Sequence, residues 1–437
     1  MRELDPALDP ESALAALRRP GAPSLLFDGR GGHDGAWPCR LALEPRVIAG
    51  FTTRAADPSR VMKPIDDVVA RRRAAGGAGA PGSAGVAVLC AYEAFMPRSA
   101  TSAIPWEILA LEVDGVVAFP DGAAPVALGG REIVDRAATA LGRRGLPAAD
   151  PVSSVRASGP MRTSLGREAY LRAVSQLKEH IARGDVYQAN LTQRFGLPFD
   201  GDPWELYRAF ARATPAPRSA FVEAQGLALA SVSPEIFVDV DRHGRAETRP
   251  IKGTRPRGAT PNDDALAAAE LLASSKDRAE LVMIVDVLRN DLGRVARTGS
   301  VTVPELLALR TYAAVHHLVA RVAADLRDDV TPGALVAAIF PGGSITGAPK
   351  ERAIELLREI EPCSRGLYTG CLFWFDDDGS MASSILIRSA IVTGGRVSIG
   401  AGGGVVADSE PEAEWSEANA KARALTRPLG FDPEEAV

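Results

Sequence analysis

Apolar residues recur at helical spacing in several stretches of the chain. Between Ser164 and Gly184, Leu171, Val174, Leu177 and Ile181 share one face, and Gly184-Asp185 closes the run where a positive φ is tolerated. Between Asp277 and Asp291 (DRAELVMIVDVLRND), Leu281, Ile284, Val285 and Leu288 form a second stripe. KERAIELLREI, from Lys350, predicts a further helix, and the stretch Glu412 to Leu425 has a polar helical composition. Other segments are rich in β-branched residues and bounded by Gly, Pro or Asp: NLTQRFGL, GLALASVSPEIFVDV, VHHLVARV, SSILIRSAIV and RVSIGAGGGVVA. These predict strands of a large sheet. Before about Gly145, runs such as SLLFDG and GVAVLCAYEAF read as short strands joined by turns. The stretch LPAADPVSSVRASGP carries neither period and predicts a linker. The expected organisation is therefore a first region (1–145) packing on the core, a linker (146–163), a site-bearing region (164–430) and a tail (431–437). Strands and helices do not alternate strictly, so the pattern predicts an α+β fold rather than a Rossmann fold.

Composition narrows the function classes. The chain has 437 residues, 46% hydrophobic and 24% charged, enough apolar material for a large core. Fifty basic against 55 acidic residues give a net charge of −5 with no basic cluster, which argues against a nucleic-acid partner. Cys39, Cys90, Cys363 and Cys371 are too sparse for a disulfide framework. No run approaches the roughly 18 consecutive apolar residues of a membrane span, and no basic n-region precedes an apolar h-region. The expectation is a cytoplasmic protein with no membrane partner.

Several constellations could carry chemistry. Glu414, Glu417 and Lys421 stand at i, i+3 and i+7, within about a 60° arc at 100° per residue, so two carboxylates and an ammonium share a helix face. Glu280 stands one residue before an apolar stripe. Carboxylates from two helices suit Mg²⁺, which takes one or two of them and keeps several waters; an ordinary solvated face is the alternative. PGGSITGAPK, Pro341 to Lys350, is a glycine-rich turn entering a helix, where backbone N–H groups can hold an anion. It is not a P-loop, because Ala348 and Pro349 occupy the places of Lys and Ser/Thr. Gly400 to Gly404 (GAGGG) again allows close backbone approach to a ligand. Lys252 lies in RPIKGTRPRG, where an amine could be desolvated into a nucleophile. His316 and His317 are adjacent in a strand and must face opposite ways. Tyr368 and Arg388 are single polar groups in apolar surroundings.

In order along the chain, GDVYQANLTQRF, SPEIF, RPIKGT, DRAELVMIVDVLRNDLGRV, VHHLV, PGGSITGAPK, ILIRS and GAGGGVVADSEPEAEWSEANAKA resemble the chorismate-utilising enzyme family. The resemblance runs from about Ser164 to Leu429, with a weaker match in SLLFDG and YEAF. It implies large antiparallel β-sheets packed as a sandwich with helices outside, as in anthranilate synthase component I. Within the family the chain is most similar to the branch that aminates chorismate at C4, making 4-amino-4-deoxychorismate for p-aminobenzoate and folate synthesis. The feature that decides this is Lys252, where anthranilate and isochorismate synthases typically carry alanine. By the same resemblance Lys252 is the nucleophile at C2 and Glu235 the general acid for the departing C4 hydroxyl, with His317 by the ring. Mg²⁺ is expected on Glu280 and Glu417, with Glu414 nearby through water. Ser344 to Gly347 would cradle the ring carboxylate, Tyr368, Arg388 and Gly404 would take the enolpyruvyl carboxylate, and Lys421 would add positive charge. Gln188 stands where the water-activating branches carry a lysine. No G-x-C-x-G glutaminase segment occurs, so the implied partner is a glutamine amidotransferase subunit supplying ammonia.

Two positions depart from the family pattern. Phe373 stands where a glycine is usual, which predicts a narrowed or reshaped pocket, and Ala382 stands where an aspartate usually precedes I-x-I-R. The alternatives left open are anthranilate synthase component I, a specialised-metabolism homologue and a catalytically silent chorismate-binding homologue.

Overall fold

The computed structural model describes residues 1–19, 22–29, 37–51, 58–74, 83–96, 104, 106–142, 157, 159–312 and 315–437. Among these, two antiparallel sheets dominate, one of 12 strands and one of 10. The alternation of side chains along a strand explains how they stack. Leu25 and Phe27 of the strand Ser24–Asp28, Ala87 and Leu89 of Gly85–Cys90, and Leu372 and Trp374 of Cys371–Asp376 meet in one cluster between the sheets. The intervening residues point outward: Leu26 joins one outer core, while Val86, Val88, Cys90, Phe373 and Phe375 join the other. Helices cover both outer faces, so the molecule is the α+β sandwich that the sequence predicts.

The first region is woven into both sheets. Ser24–Asp28 pairs with Arg218–Ala224 in the larger sheet, and Gly85–Cys90 pairs with Cys371–Asp376 in the smaller. The expected linker lies largely outside the described residues. Its last two residues, Arg162–Thr163, form a short strand on Gln188–Pro198, and the tail closes on them through Thr163 N–H to Val437 O at 3.0 Å.

The helices read from periodicity are present at Arg167–Ala182, Ser275–Gly293, Lys350–Ile360 and Pro411–Thr426. Gly184 has φ +81, as its place after the first of these requires. Ser274 ends one helix, Pro261–Ala273, and caps the next, its hydroxyl accepting from Asp277 N–H at 3.2 Å. The break sets the Glu280 helix across the strand Ile251–Pro256, which carries Lys252. SSILIRSAIV forms two strands, Met381–Ile385 and Ser389–Thr393, separated by Arg388 at φ +48. No helix among the described residues is long and apolar enough to cross a membrane.

Phe373 corrects the expectation of a narrowed pocket. Its ring is fully buried, edge-on to Phe237 at 5.9 Å and stacked on Phe375 at 5.8 Å. The bulk is absorbed by the core that backs the Glu235 segment. Ala382, paired with Trp374, packs against the layer between the sheets.

Candidate active site

The glycines of Arg396–Val405 let the last helix approach. A Cβ on Gly403 would lie 3.1 Å from Glu414 Oε2 and 3.8 Å from both Glu417 Oε1 and Lys421 Nζ, so a bare backbone is what admits this charged face. Glu414 is buried and accepts from Ser409 Oγ at 2.6 Å. Lys421 is fixed between Glu417 Oε1 at 2.7 Å and Gly402 O at 3.0 Å. The face is thus a wall of the site, and the solvated alternative is set aside for Glu414 while Glu417 and Lys421 remain half-exposed.

The Glu280 helix supplies the opposite wall. Glu280 Oε2 lies 3.8 Å from Lys252 Nζ, both side chains nearly enclosed. Burial pushes the Glu280 carboxyl above its ordinary value, with Lys252 and Lys276 opposing. Burial also disfavours ionised Glu417, but the attraction of Lys421, Lys276 and Lys252 outweighs it and holds that carboxyl low. Lys276 was not singled out by the sequence; its ammonium stands 3.6 Å from Glu414 Oε1 and 4.0 Å from Glu280 Oε1. Its one detectable signal was the i,i+4 spacing to Glu280.

Glu235 forms the floor. It is buried, accepts from Ser344 Oγ at 2.8 Å, and its carboxyl is raised by burial against the opposing pull of Ser344, Lys252 and Lys421. A raised carboxyl holds its proton and can donate it. The loop that brings Ser344 is bolted down by Arg365, a second residue the motifs did not flag. Its guanidinium donates to Ile345 O at 2.8 Å and Asn190 O at 2.7 Å and grips Glu361, which accepts from Thr192 N–H and Oγ1 at 2.9 Å. Gly347 (φ +141) continues that loop as a bridge to Ala189, where a Cβ would strike Gln188 O at 2.3 Å.

His317 and Arg388 line a neighbouring part. His317 bonds through Nδ1 to Thr254 Oγ1 at 2.9 Å, and burial, with the Arg388 charge, lowers its imidazole to about 4, so it is neutral at pH 7. His316 turns instead to Asp264 and Thr311, both at 2.9 Å, a structural role. The Arg388 guanidinium is lowered by burial, and the structure gives it no hydrogen-bond or ion-pair partner among the described residues. A cation so placed is suited to an anion from outside. Gly404 makes room for Gln188, whose Nε2 lies 1.8 Å from where a Cβ would be; both amide atoms of Gln188 are buried without a partner.

Gly400 has the same relation to Tyr368. A Cβ there would fall 2.2 Å from the tyrosine ring. Gly400→Ala is expected to destabilise the fold by about 1–3 kcal/mol through overpacking, and an unchanged urea midpoint would show that Tyr368 yields freely.

Two carboxylate-bearing helices and a dense set of lysines therefore stand within electrostatic reach of a glutamic acid whose carboxyl is raised, and His317 stands within reach of an arginine that has no partner among the described residues. Among the described residues no three His, Cys, Asp or Glu side chains enclose a metal ion by themselves. The hard oxygen donors of Glu280 and Glu417 nevertheless suit Mg²⁺, which needs one or two protein carboxylates.

A family model described as chorismate binding enzyme matches residues 116–427. A protein of Klebsiella aerogenes, aminodeoxychorismate synthase component 1, is 48% identical over 59% of this chain and 56% of its own length. Anthranilate synthase component 1 of Geobacillus stearothermophilus is 42% identical over 64% of this chain and 55% of its own length. The chain spans between 39% and 60% of the length of the curated relatives it matches. The crystal structure of anthranilate synthase component I from Streptococcus pneumoniae superposes with a TM-score of 0.74 at 22% identity, covering 98% of this chain and 99% of that one.

Proposed function

The chain belongs to the chorismate-binding enzyme family, and on that premise we propose that it condenses chorismate with ammonia to give 4-amino-4-deoxychorismate. The observation that carries this reading is Lys252, an amine enclosed in the site beside Glu280 at 3.8 Å. The names of relatives such as the Klebsiella aerogenes protein support it.

In this mechanism the Lys252 amine attacks C2 of chorismate. The two ring double bonds shift, the C4–O bond breaks, and Glu235 gives its proton to the departing hydroxide, which leaves as water. Ammonia then attacks C4, the double bonds shift back, the Lys252 amine is expelled from C2, and the proton lost by the new C4 ammonium group returns to Glu235. Burial raises the Glu235 carboxyl and Ser344 orients it, and hydroxide is a poor leaving group without such a donor. Arg388 would pair with the enolpyruvyl carboxylate beside neutral His317. Backbone groups from Ser344 to Gly347 would hold the ring carboxylate. Mg²⁺, held by Glu280 and Glu417 with Glu414 through water, would neutralise that carboxylate when bound. Ammonia would come from a glutamine amidotransferase partner in a cytoplasmic complex, and the product would serve p-aminobenzoate and folate synthesis.

A second reading, anthranilate synthase component I, is favoured by the 42% identity to the Geobacillus stearothermophilus protein. Mass-resolved product analysis after mixing the chain with chorismate, MgCl₂ and ammonium separates the two. Aminodeoxychorismate is the expected product; anthranilate would establish the second reading, and no turnover, repeated with a glutaminase subunit, would leave a chorismate-binding homologue.

A further inference from the structure

Three ammonium groups stand among the carboxylates, and they are held differently. Lys421 is fixed by a 2.7 Å ion pair and a 3.0 Å hydrogen bond to backbone. Lys252 is 13% exposed and enclosed beside Glu280. Lys276 is 47% exposed, reaches in from the first turn of the Glu280 helix, and makes only two longer ion pairs, 3.6 Å to Glu414 and 4.0 Å to Glu280. It thus lies between the two helices that supply the carboxylates, with a flexible stem leading out to solvent.

Electrostatics explains why a cation is needed there. Glu280 and Glu414 converge with Glu417 in a partly desolvated space, where like charges repel strongly. An ammonium between them relieves that repulsion. A divalent cation bound by Glu280 and the Glu414–Glu417 helix would have to occupy the same region, where it and the Lys276 ammonium would repel each other. We propose that Lys276 is the resident counter-cation of the carboxylate cradle, and that a divalent metal enters by exchange, with Lys276 swinging out to solvent. This rests on the reading of Glu280 and Glu417 as Mg²⁺ ligands.

The exchange makes metal-free protein self-neutralised and sets the metal affinity below what the carboxylates alone would give. Two partly exposed ion pairs correspond to about a two- to thirtyfold handicap. Isothermal calorimetry of MgCl₂ into metal-free wild type and Lys276→Gln, without substrate and at fixed ionic strength, is therefore expected to show about two- to thirtyfold tighter binding by the variant. Lys276→Arg, which keeps the charge, should bind no more tightly than wild type. In thermal denaturation without metal, Lys276→Gln should melt below wild type, and MgCl₂ should raise its midpoint further than that of wild type. Equal or weaker binding by Lys276→Gln would overturn the exchange while leaving the metal site intact. Absence of Mg²⁺ binding by both proteins would remove the metal reading and the exchange together.

Discussion

Lys252→Ala is expected to eliminate any covalent adduct with chorismate and to lower amination turnover by about 10³-fold or more, the scale of loss when a covalent nucleophile is removed. The reason is geometric and chemical. Lys252 is enclosed beside Glu280 at 3.8 Å, its charge bears on Glu235, and no other lysine among the described residues combines that enclosure with an electrostatic pull on Glu235. Intact-mass analysis of protein quenched during turnover reads the adduct directly. An adduct of unchanged mass and yield in the alanine variant would refute the nucleophile. Because the substitution also strips Glu280 of an ion partner, circular dichroism and a thermal melt should accompany the kinetics. Loss of the adduct in a folded variant is the expected outcome.

Glu235→Gln should lower kcat by about 10²–10⁴-fold, the usual contribution of a positioned proton donor. Its pH dependence gives a sharper check. Burial raises the Glu235 carboxyl, although Ser344, Lys252 and Lys421 pull it down, and the acid must be protonated to act. The wild-type rate should therefore fall as pH rises through that elevated value. Glutamine keeps the shape and can still accept from Ser344, but it carries no titrating proton, so this alkaline limb should vanish in the variant. A limb that persists unchanged in Glu235→Gln would assign the general acid elsewhere.

Much of this was legible in the chain. The helical stripes of Leu171 to Ile181 and Leu281 to Leu288 became helices close to their expected bounds, and the β-branched runs became strands. The residue types of the site were also legible, since Lys252, Glu235, Glu280, Glu414 and Glu417 stand in motifs of recognisable chemistry. Phe373 shows where such reading stops. Its sequence neighbourhood pointed to the pocket, yet it shares the outward face of its strand with Cys371 and Phe375 and packs on Phe237. Lys276 is the converse case: an ordinary i,i+4 partner of Glu280 in sequence acquires its meaning from Glu414, which arrives on a distant helix.

The sequence by itself therefore determined the elements, the α+β class and the kinds of side chain available, because helical and strand periods are short-range and residue chemistry travels with the letter, while the sandwich was implied by the family resemblance. Only the tertiary structure decided which charges meet and in which state. That depends on desolvation and through-space distance: burial raises the Glu235 carboxyl and keeps His317 neutral, and three ammonium groups hold the Glu417 carboxyl low. Arg388 likewise became a candidate for an anion contact only when folding partly buried it without a partner among the described residues.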